Sequence, residues 1–158
     1  MPRARTARRP WPKFRLVDVI RKVQPSFMLG HRQYDPCNTD HMYATQVALE
    51  CRMIAQARGH NPGEKVLGAP QLYPFEPHQT EQMGWKPDTF LDITPVWDRK
   101  RAAIGCMEGQ EHLWDCYTRV AENRARRFMR NSGGQSGGRK ARYAEGFQSI
   151  FPRTVDHL

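Results

Sequence analysis

The chain has 158 residues, of which 26% are charged, and a formal net charge of +9. This length is enough for one domain with a hydrophobic core of its own. No apolar run approaches the roughly 20 residues that a transmembrane helix needs, so we predict no membrane span and no membrane partner.

The positive charge is unevenly distributed. Residues 1–13 contain five basic residues and no acid, and residues 119–142 contain eight basic residues and one acid. The rest of the chain is net acidic, which differs from the evenly basic face of a dedicated nucleic-acid binder. Nucleic acid is therefore not the expected partner, although a basic nucleic-acid-binding protein without catalysis remains the alternative from another functional class. We predict that the Pro- and Arg-rich leader, residues 1–13, is disordered.

The four cysteines, at positions 37, 51, 106 and 116, show no Cys-x-x-Cys spacing. A chain of this length does not need disulfides for stability, so we interpret them as reduced thiols of a cytoplasmic protein. The N-terminus also lacks the apolar segment of a secretory signal.

Periodicity predicts alternating helices and strands, which indicates the α/β class. A Thr94-Pro95 pair is a strong helix start, because threonine caps the helix and proline suits its first turn. Thr39 or Asp40 is the expected N-cap of an earlier helix. The predicted helices are residues 14–23, 42–57, 94 to about 111, and 113–130; the predicted strands are 26–30, 72–75, 89–93 and 143–150. A mobile Gly/Ser loop is expected over 131–138.

The loop between the first strand and the second helix carries two histidines and two aspartates, namely His31, Asp35, Asp40 and His41. In open α/β sheets, ligands bind at the carboxyl ends of the strands. His and Asp are also the side chains that hold a zinc ion able to activate water. Ordinary turn and N-cap chemistry is the alternative interpretation of the same residues.

A family resemblance rests on an ordered series of segments. The Ile-Arg-Lys-Val-Gln-Pro run at 20–25, followed by His31, Asp35 and Asp40-His41, resembles the second half of the PIG-L/LmbE-like zinc-dependent deacetylase superfamily. Further segments resemble the branch that contains 4-oxalomesaconate hydratase, which acts in aromatic-acid breakdown. These are Phe-Glu-Pro-His-Gln at 75–79, Trp-Lys-Pro-Asp at 85–88, Leu-Asp-Ile-Thr at 91–94, Lys-Arg-Ala-Ala-Ile at 100–104, Gln-Glu-His-Leu-Trp at 110–114 and Tyr-Ala-Glu-Gly-Phe at 143–147.

The resemblance implies a Rossmann-like sheet with flanking helices, here apparently lacking its first strands. Residues 14–158 would then be the C-terminal portion of the domain. It also implies zinc as the cofactor, with His41 as a metal ligand and Asp40 as a residue that orients groups around the metal. The family's His-Pro-Asp-Asp motif, which supplies two further ligands, is absent from the sequence. We therefore expect a truncated chain that is inactive alone.

The implied reaction is zinc-dependent addition of water to an unsaturated oxo-carboxylate resembling 4-oxalomesaconate. Asn38 stands where the deacetylases usually carry a helper histidine, which favours hydration over the alternative, N-deacetylation of an amide. Asp40, Glu76 and His78 are the candidate catalytic residues, and a structural role is the alternative for Glu76 and His78. Candidate substrate-binding residues are Arg32, Asn38 and Arg142, because arginine binds carboxylates through two hydrogen bonds. The expected partners are a small carboxylate substrate and further copies of the chain.

Overall fold

The computed structural model describes residues 12–132 and 140–152. The chain divides into two compact units, residues 1–73 and residues 74–158. Within the described ranges, no helix is both long and apolar enough to span a bilayer. In chain order the elements are α1 (Pro12–Val23), β1 (Phe27–Gly30), α2 (Thr39–Gln56), β2 (Gln71–Pro74), β3 (Thr89–Asp92), α3 (Trp97–Gly105), α4 (Trp114–Asn131) and β4 (Ala144–Phe147).

The first unit is built on the packing of α1 against α2. Apolar residues recur at helical spacing in both helices, so each presents one apolar face. Val17 and Ile20 of α1 pack with Cys51 and Ala55 of α2 and with Leu67 in a buried cluster. Strands β1 and β2 pair in a two-stranded sheet. The long loop between β1 and α2 therefore starts from a paired strand and ends on a packed helix.

The second unit is built around the antiparallel pairing of β3 with β4, which are separated in the chain by α3 and α4. Their register runs from Thr89 opposite Phe147 to Asp92 opposite Ala144. The core beside this sheet consists of Ile93, Trp97, Ala121 and Tyr143. The rings of Trp97 and Tyr143 stack with their centroids 4.0 Å apart. This stacking joins the start of α3 to the residue that precedes β4.

The predicted mixture of helices and strands is confirmed, and most elements differ only at their ends. The single helix predicted from Thr94 to about residue 111 is wrong. A 3₁₀ helix, Thr94–Val96, leads into α3, which ends at Gly105, and a second 3₁₀ helix, Glu108–Leu113, follows. The break falls at a glycine, which is a poor helix former, and the amide of Met107 bonds to the carbonyl of Ile104 three residues back.

Two further boundaries differ from the sequence prediction. The N-cap of α2 is Asn38 rather than Thr39 or Asp40, and the last strand ends at Phe147 rather than residue 150. The predicted Gly/Ser loop lies mostly outside the described residues. So does the predicted disordered leader, except for Pro12 and Lys13, and Pro12 begins α1.

Candidate functional site

The loop from β1 to α2 is folded around the side chain of Asp35. This residue is only 3% exposed. Its Oδ1 accepts hydrogen bonds from the backbone amides of Cys37, at 3.0 Å, and Asn38, at 2.9 Å. An aspartate that accepts amides two and three residues ahead is a common way to close a turn. The Asp-Pro pair therefore directs the chain from the strand toward the start of α2.

The other oxygen of Asp35 contacts a histidine. Its Oδ2 lies 2.7 Å from Nδ1 of His41, in the first turn of α2. The side-chain amide of Asn38 also faces both carboxylate oxygens, at 3.4 and 3.3 Å. Burial works to raise the pKa of Asp35, but the hydrogen bonds from His41, Asn38 and Cys37 outweigh it and leave this pKa below its ordinary value. Asp35 is therefore an ionised, buried hydrogen-bond acceptor at neutral pH.

The two histidines of the loop lie face to face. The ring centroids of His31 and His41 are 3.8 Å apart, and the ring planes differ by 11°. Burial lowers the pKa of His31, and the neighbouring charge of His41 lowers it further, against the opposing effect of Asp35 and Asp40. The backbone carbonyl of His31 accepts a 2.9 Å bond from the hydroxyl of the buried Thr45. The backbone of His31 is thus bonded to α2, and its ring covers one face of His41.

The remaining candidates of this loop differ in exposure. Asp40 is exposed in the first turn of α2, and the carboxylate that contacts His41 is Asp35. Arg32 is partly exposed. Asn38 holds Asp35 through its amide and makes no side-chain capping bond to α2. The structure thus brings His31, Asp35, Asn38 and His41 together and leaves Asp40 open to solvent.

Glu76 and His78, in the second unit, have different surroundings. Glu76 Oε2 lies 2.7 Å from Nε of Arg124 on α4, and the other carboxylate oxygen contacts the same guanidinium. Both side chains are largely buried, with 14% and 11% exposed. His78 is exposed, and its ring meets the Tyr117 ring edge-on with centroids 6.2 Å apart. Glu76 is therefore half of a bidentate ion pair that joins its strand-end segment to α4.

Arg142 is exposed and lies beside an open groove in the second unit. Its guanidinium sits over the ring of Tyr143, 5.2 Å from the centroid. The groove has a volume of about 470 Å³ and is also lined by Glu122, Arg126 and Met129. Cationic and anionic side chains both border it, so its charge alone does not select an anionic substrate.

The family resemblance implies zinc, and His41 has the chemistry of one ligand. A metal-binding histidine usually donates its other ring N–H to a carboxylate, as the contact with Asp35 allows. Catalytic zinc, however, needs about three protein ligands. Over residues 12–132 and 140–152 there is no group of three or more His, Cys, Asp or Glu side chains placed to hold a metal. The described residues therefore fit a single ligand and not a complete zinc site.

Sequence reasoning identified this loop and His41 but missed the partner of the histidine. The sequence pattern groups Asp35 with three other His and Asp residues, either as metal-holding side chains or as turn chemistry, and the resemblance gives Asp40 rather than Asp35 the role of orienting groups around the metal. The available signal was the Asp-Pro pair, since an aspartate at that position can close a turn and remain buried. Arg124 was also missed, because nothing in a basic helical run marks which arginine points inward.

Comparison with curated proteins identifies two relatives. The chain is 59% identical over 145 residues to 4-oxalmesaconate hydratase of Pseudomonas putida KT2440, covering 92% of this chain and 56% of the hydratase. It is 27% identical over 143 residues to diacetylchitobiose deacetylase of Thermococcus kodakarensis, covering 85% of this chain and 49% of the deacetylase. The chain thus spans about half the length of the curated relatives it matches. No protein-family model matches it.

Comparison with solved structures finds similarity to a hydratase and to a deacetylase. The chain is similar in sequence and fold to GalB of P. putida KT2440, a 4-carboxy-2-hydroxymuconate hydratase, with a TM-score of 0.88, 58% identity, and coverage of 92% of this chain and 60% of GalB. Diacetylchitobiose deacetylase of Pyrococcus horikoshii, at a TM-score of 0.58, 21% identity, and coverage of 87% and 50%, shows a likeness in fold alone.

Proposed function

We propose that the chain takes part in the hydration of an unsaturated oxo-carboxylate of the 4-oxalmesaconate type, in the breakdown of aromatic acids. The observation that carries this proposal is the 59% identity to the P. putida hydratase over 92% of the chain. Because the chain spans 56% of that relative, the proposal attaches to the activity of the whole hydratase. We also propose that the chain contributes to a Rossmann-like sheet and that the protein is cytoplasmic.

Within the proposal, His41 is the residue that would bind zinc. Its Nδ1 faces Asp35, which leaves Nε2 as the nitrogen available to a ligand. A complete zinc site would need donors beyond those that the described residues bring together. We therefore propose His41 as one protein ligand of the zinc ion. Proton transfer and substrate binding are proposed for other side chains of the chain.

Asp40 is our preferred residue for proton transfer in this loop. It is exposed and adjoins His41 in the first turn of α2, so a substrate can reach its carboxylate. General acid–base catalysis requires direct contact or one bridging water. Glu76 is held by Arg124, which supports a positioning role for it, whereas the exposed imidazole of His78 remains a candidate for proton transfer.

Binding of the substrate carboxylates is proposed for Arg32 and Arg142. Arg142 is exposed, and Arg32 is partly exposed, so both can meet an anion from solvent. The amide of Asn38 is turned toward Asp35, which makes it a support for the loop as well as a candidate contact. A small carboxylate substrate and a homo-oligomeric state remain predictions.

N-deacetylation is the second candidate, because the chain is also similar to diacetylchitobiose deacetylase. Asn38 separates the two reactions, because the resemblance places a helper histidine there in the deacetylases. An asparagine cannot act as a general acid at neutral pH, since its amide does not titrate in that range. Hydration of a conjugated double bond does not require an amine leaving group to be protonated, so it tolerates this replacement.

The test joins the chain to the part of the P. putida hydratase that it does not match and offers the joined protein both reactions in the presence of zinc. We expect hydration of an unsaturated oxo-tricarboxylate, measured as loss of its conjugated absorbance, and no acetate release from an N-acetyl sugar. His41→Ala should abolish hydration, and Cys106→Ala, at an exposed thiol of the second unit, is the matched control that should retain it. Acetate release without hydration would favour the deacetylase, and the absence of both reactions from the joined protein would reject the proposed hydration.

A further inference from the structure

A buried carboxylate and a stacked ring together restrain His41. Asp35 contacts Nδ1 of this histidine at 2.7 Å from one side of the loop, and His31 covers one ring face. Turning the ring by 180° would break the contact with Asp35. Neither restraint involves Asp40, although Asp40 is the nearest carboxylate along the chain.

We propose that Asp35 is a positioning residue that holds the neutral form of His41 as the tautomer with its proton on Nδ1. The lone pair of the ring then lies on Nε2. In the described part of the chain no hydrogen bond is made at Nε2, and the His41 side chain is 32% exposed. The ring therefore presents Nε2 as a base or ligand atom. The tautomer does not depend on the proposed function. Only the identity of the ligand that binds Nε2 rests on that function.

The donors around Asp35 explain why the proton must sit on Nδ1. An ionised carboxylate accepts hydrogen bonds and donates none. In the described part of the chain, the other hydrogen bonds given for Asp35 all come from donors, namely the backbone amides of Cys37 and Asn38 and the side-chain amide of Asn38. A carboxyl proton on Oδ2 would point at one of these donors or at His41. The geometry thus matches a carboxylate that accepts a hydrogen bond from the protonated Nδ1 of His41.

The same arrangement shows what an amide would do in place of the carboxylate. In Asp35→Asn, the two backbone amides that bond to Oδ1 at 3.0 and 2.9 Å would keep the carbonyl oxygen on their side. The amide nitrogen would then face His41 and donate to Nδ1, which moves the ring proton to Nε2. In serine-protease triads, the equivalent aspartate-to-asparagine change keeps the geometry and costs about 10⁴ in kcat through the wrong tautomer. Asp35→Asn therefore keeps nearly the same side-chain shape and is expected to move the ring proton of His41 from Nδ1 to Nε2.

The experiment reads the tautomer directly, by long-range ¹H–¹⁵N correlation of the histidine rings in the full chain. At a pH where the rings are neutral, we expect wild-type His41 to show a pyrrole-type Nδ1 and a pyridine-type Nε2. Asp35→Asn should exchange the two patterns. The His41 signals are assigned by their loss in His41→Ala. This readout does not depend on metal or turnover, so failure of the hydratase proposal would leave it unchanged.

Two control variants separate Asp35 from its neighbours. Asp40→Asn removes the adjacent exposed carboxylate, and Asn38→Ala removes only the long contacts of 3.3 and 3.4 Å to Asp35. Both should keep the wild-type tautomer. An Nε2-protonated ring in the wild-type chain overturns the inference without any substitution, which keeps the test decisive if Asp35→Asn unfolds. A folded Asp35→Asn with an unchanged tautomer, or an exchanged pattern in Asp40→Asn, overturns it as well.

Discussion

The side chain of Arg21, on α1, donates a 3.1 Å hydrogen bond from Nε to the backbone carbonyl of Ala55, although 34 residues separate them. The same guanidinium bonds to the carbonyls of Ala57 and His60, at 2.6 and 2.5 Å. The last carbonyls of a helix have no partner within the helix. Arg21 supplies partners to the end of α2 and the turn after it, which fixes the helix that carries His41 at its other end.

Replacing Arg21 with methionine is expected to destabilise the chain severely. The arginine side chain is 3% exposed, so the variant leaves three carbonyls without their charged donor. A hydrogen bond to a charged group contributes about 1.5 to 3 kcal/mol, and the carbonyls of Ala55 and Ala57 keep backbone amide partners in Leu67 and His60. We expect Arg21→Met to lower the free energy of unfolding by about 3 kcal/mol or more, measured by urea denaturation.

The matched control for Arg21 is Glu64→Gln. Glu64 also pairs with Arg21, but at 3.7 Å and with its own side chain 53% exposed. Exposed ion pairs contribute about 0 to 1 kcal/mol. We therefore expect only a small change in Glu64→Gln. Equal losses in the two variants would mean that the ion pair, rather than the carbonyl bonds, holds Arg21 in place.

Burial of the Cys51 thiol is expected to make the free energy of unfolding fall at alkaline pH. The residue is fully buried, its thiol donates to the carbonyl of Lys13 at 3.3 Å, and burial, with a smaller effect of Glu50, raises its pKa. The unfolded thiol ionises first as the pH rises through its ordinary pKa of about 8.5. The unfolded state then binds fewer protons, so the free energy of unfolding falls above that pH.

The measurement compares urea denaturation of wild type and Cys51→Ala at several pH values between about 7 and 10. We expect the wild-type chain to lose more stability over this range than the variant does. Cys106→Ala serves as the control, because Cys106 is an exposed free thiol and should leave the wild-type pH dependence intact. A pH dependence that is unchanged in Cys51→Ala would contradict the prediction.

The ion pair of Glu76 and Arg124 predicts strong coupling between two elements of the second unit. Removing one partner of a largely buried pair leaves the other charge uncompensated, whereas removing both is often tolerated. We expect Glu76→Gln and Arg124→Met each to cost about 2 kcal/mol of unfolding free energy. The double variant should cost less than the sum, with a coupling of about 1 to 3 kcal/mol.

A double-mutant cycle by urea denaturation checks this prediction. His78→Gln is the control, since His78 is exposed and follows Glu76 by two residues. Additive effects of Glu76→Gln and Arg124→Met would show that the Glu76 carboxylate has no stabilising interaction with Arg124. Glu76 would then be available for proton transfer, as the sequence interpretation proposed.

Local patterns predicted the helices and strands well, because each has an apolar face of helical or alternating spacing. They failed where a feature other than periodicity decides the outcome. Gly105 ends α3 in a position that helical periodicity alone does not reveal. The loop chemistry shows the same limit: His41 could be predicted from a family motif, but Asp35 is buried under a turn closed by backbone amides of Cys37 and Asn38. Which aspartate meets the histidine depends on that turn.

Zinc binding by the chain is the last prediction. We expect the 158-residue chain to retain far less than one zinc per molecule, measured by elemental analysis after dialysis against zinc-containing buffer. The reason is that His41 is the only residue to which we assign a zinc-ligand role, and the described residues offer no group of three donors. One imidazole does not hold zinc tightly, because catalytic sites use about three protein ligands. His41→Ala and His31→Ala should therefore change the low zinc content little.

Stoichiometric zinc that disappears in His41→Ala but persists in His31→Ala would show that further donors complete the site around His41. Zinc that disappears in His31→Ala alone would move the ligand role from His41 to His31.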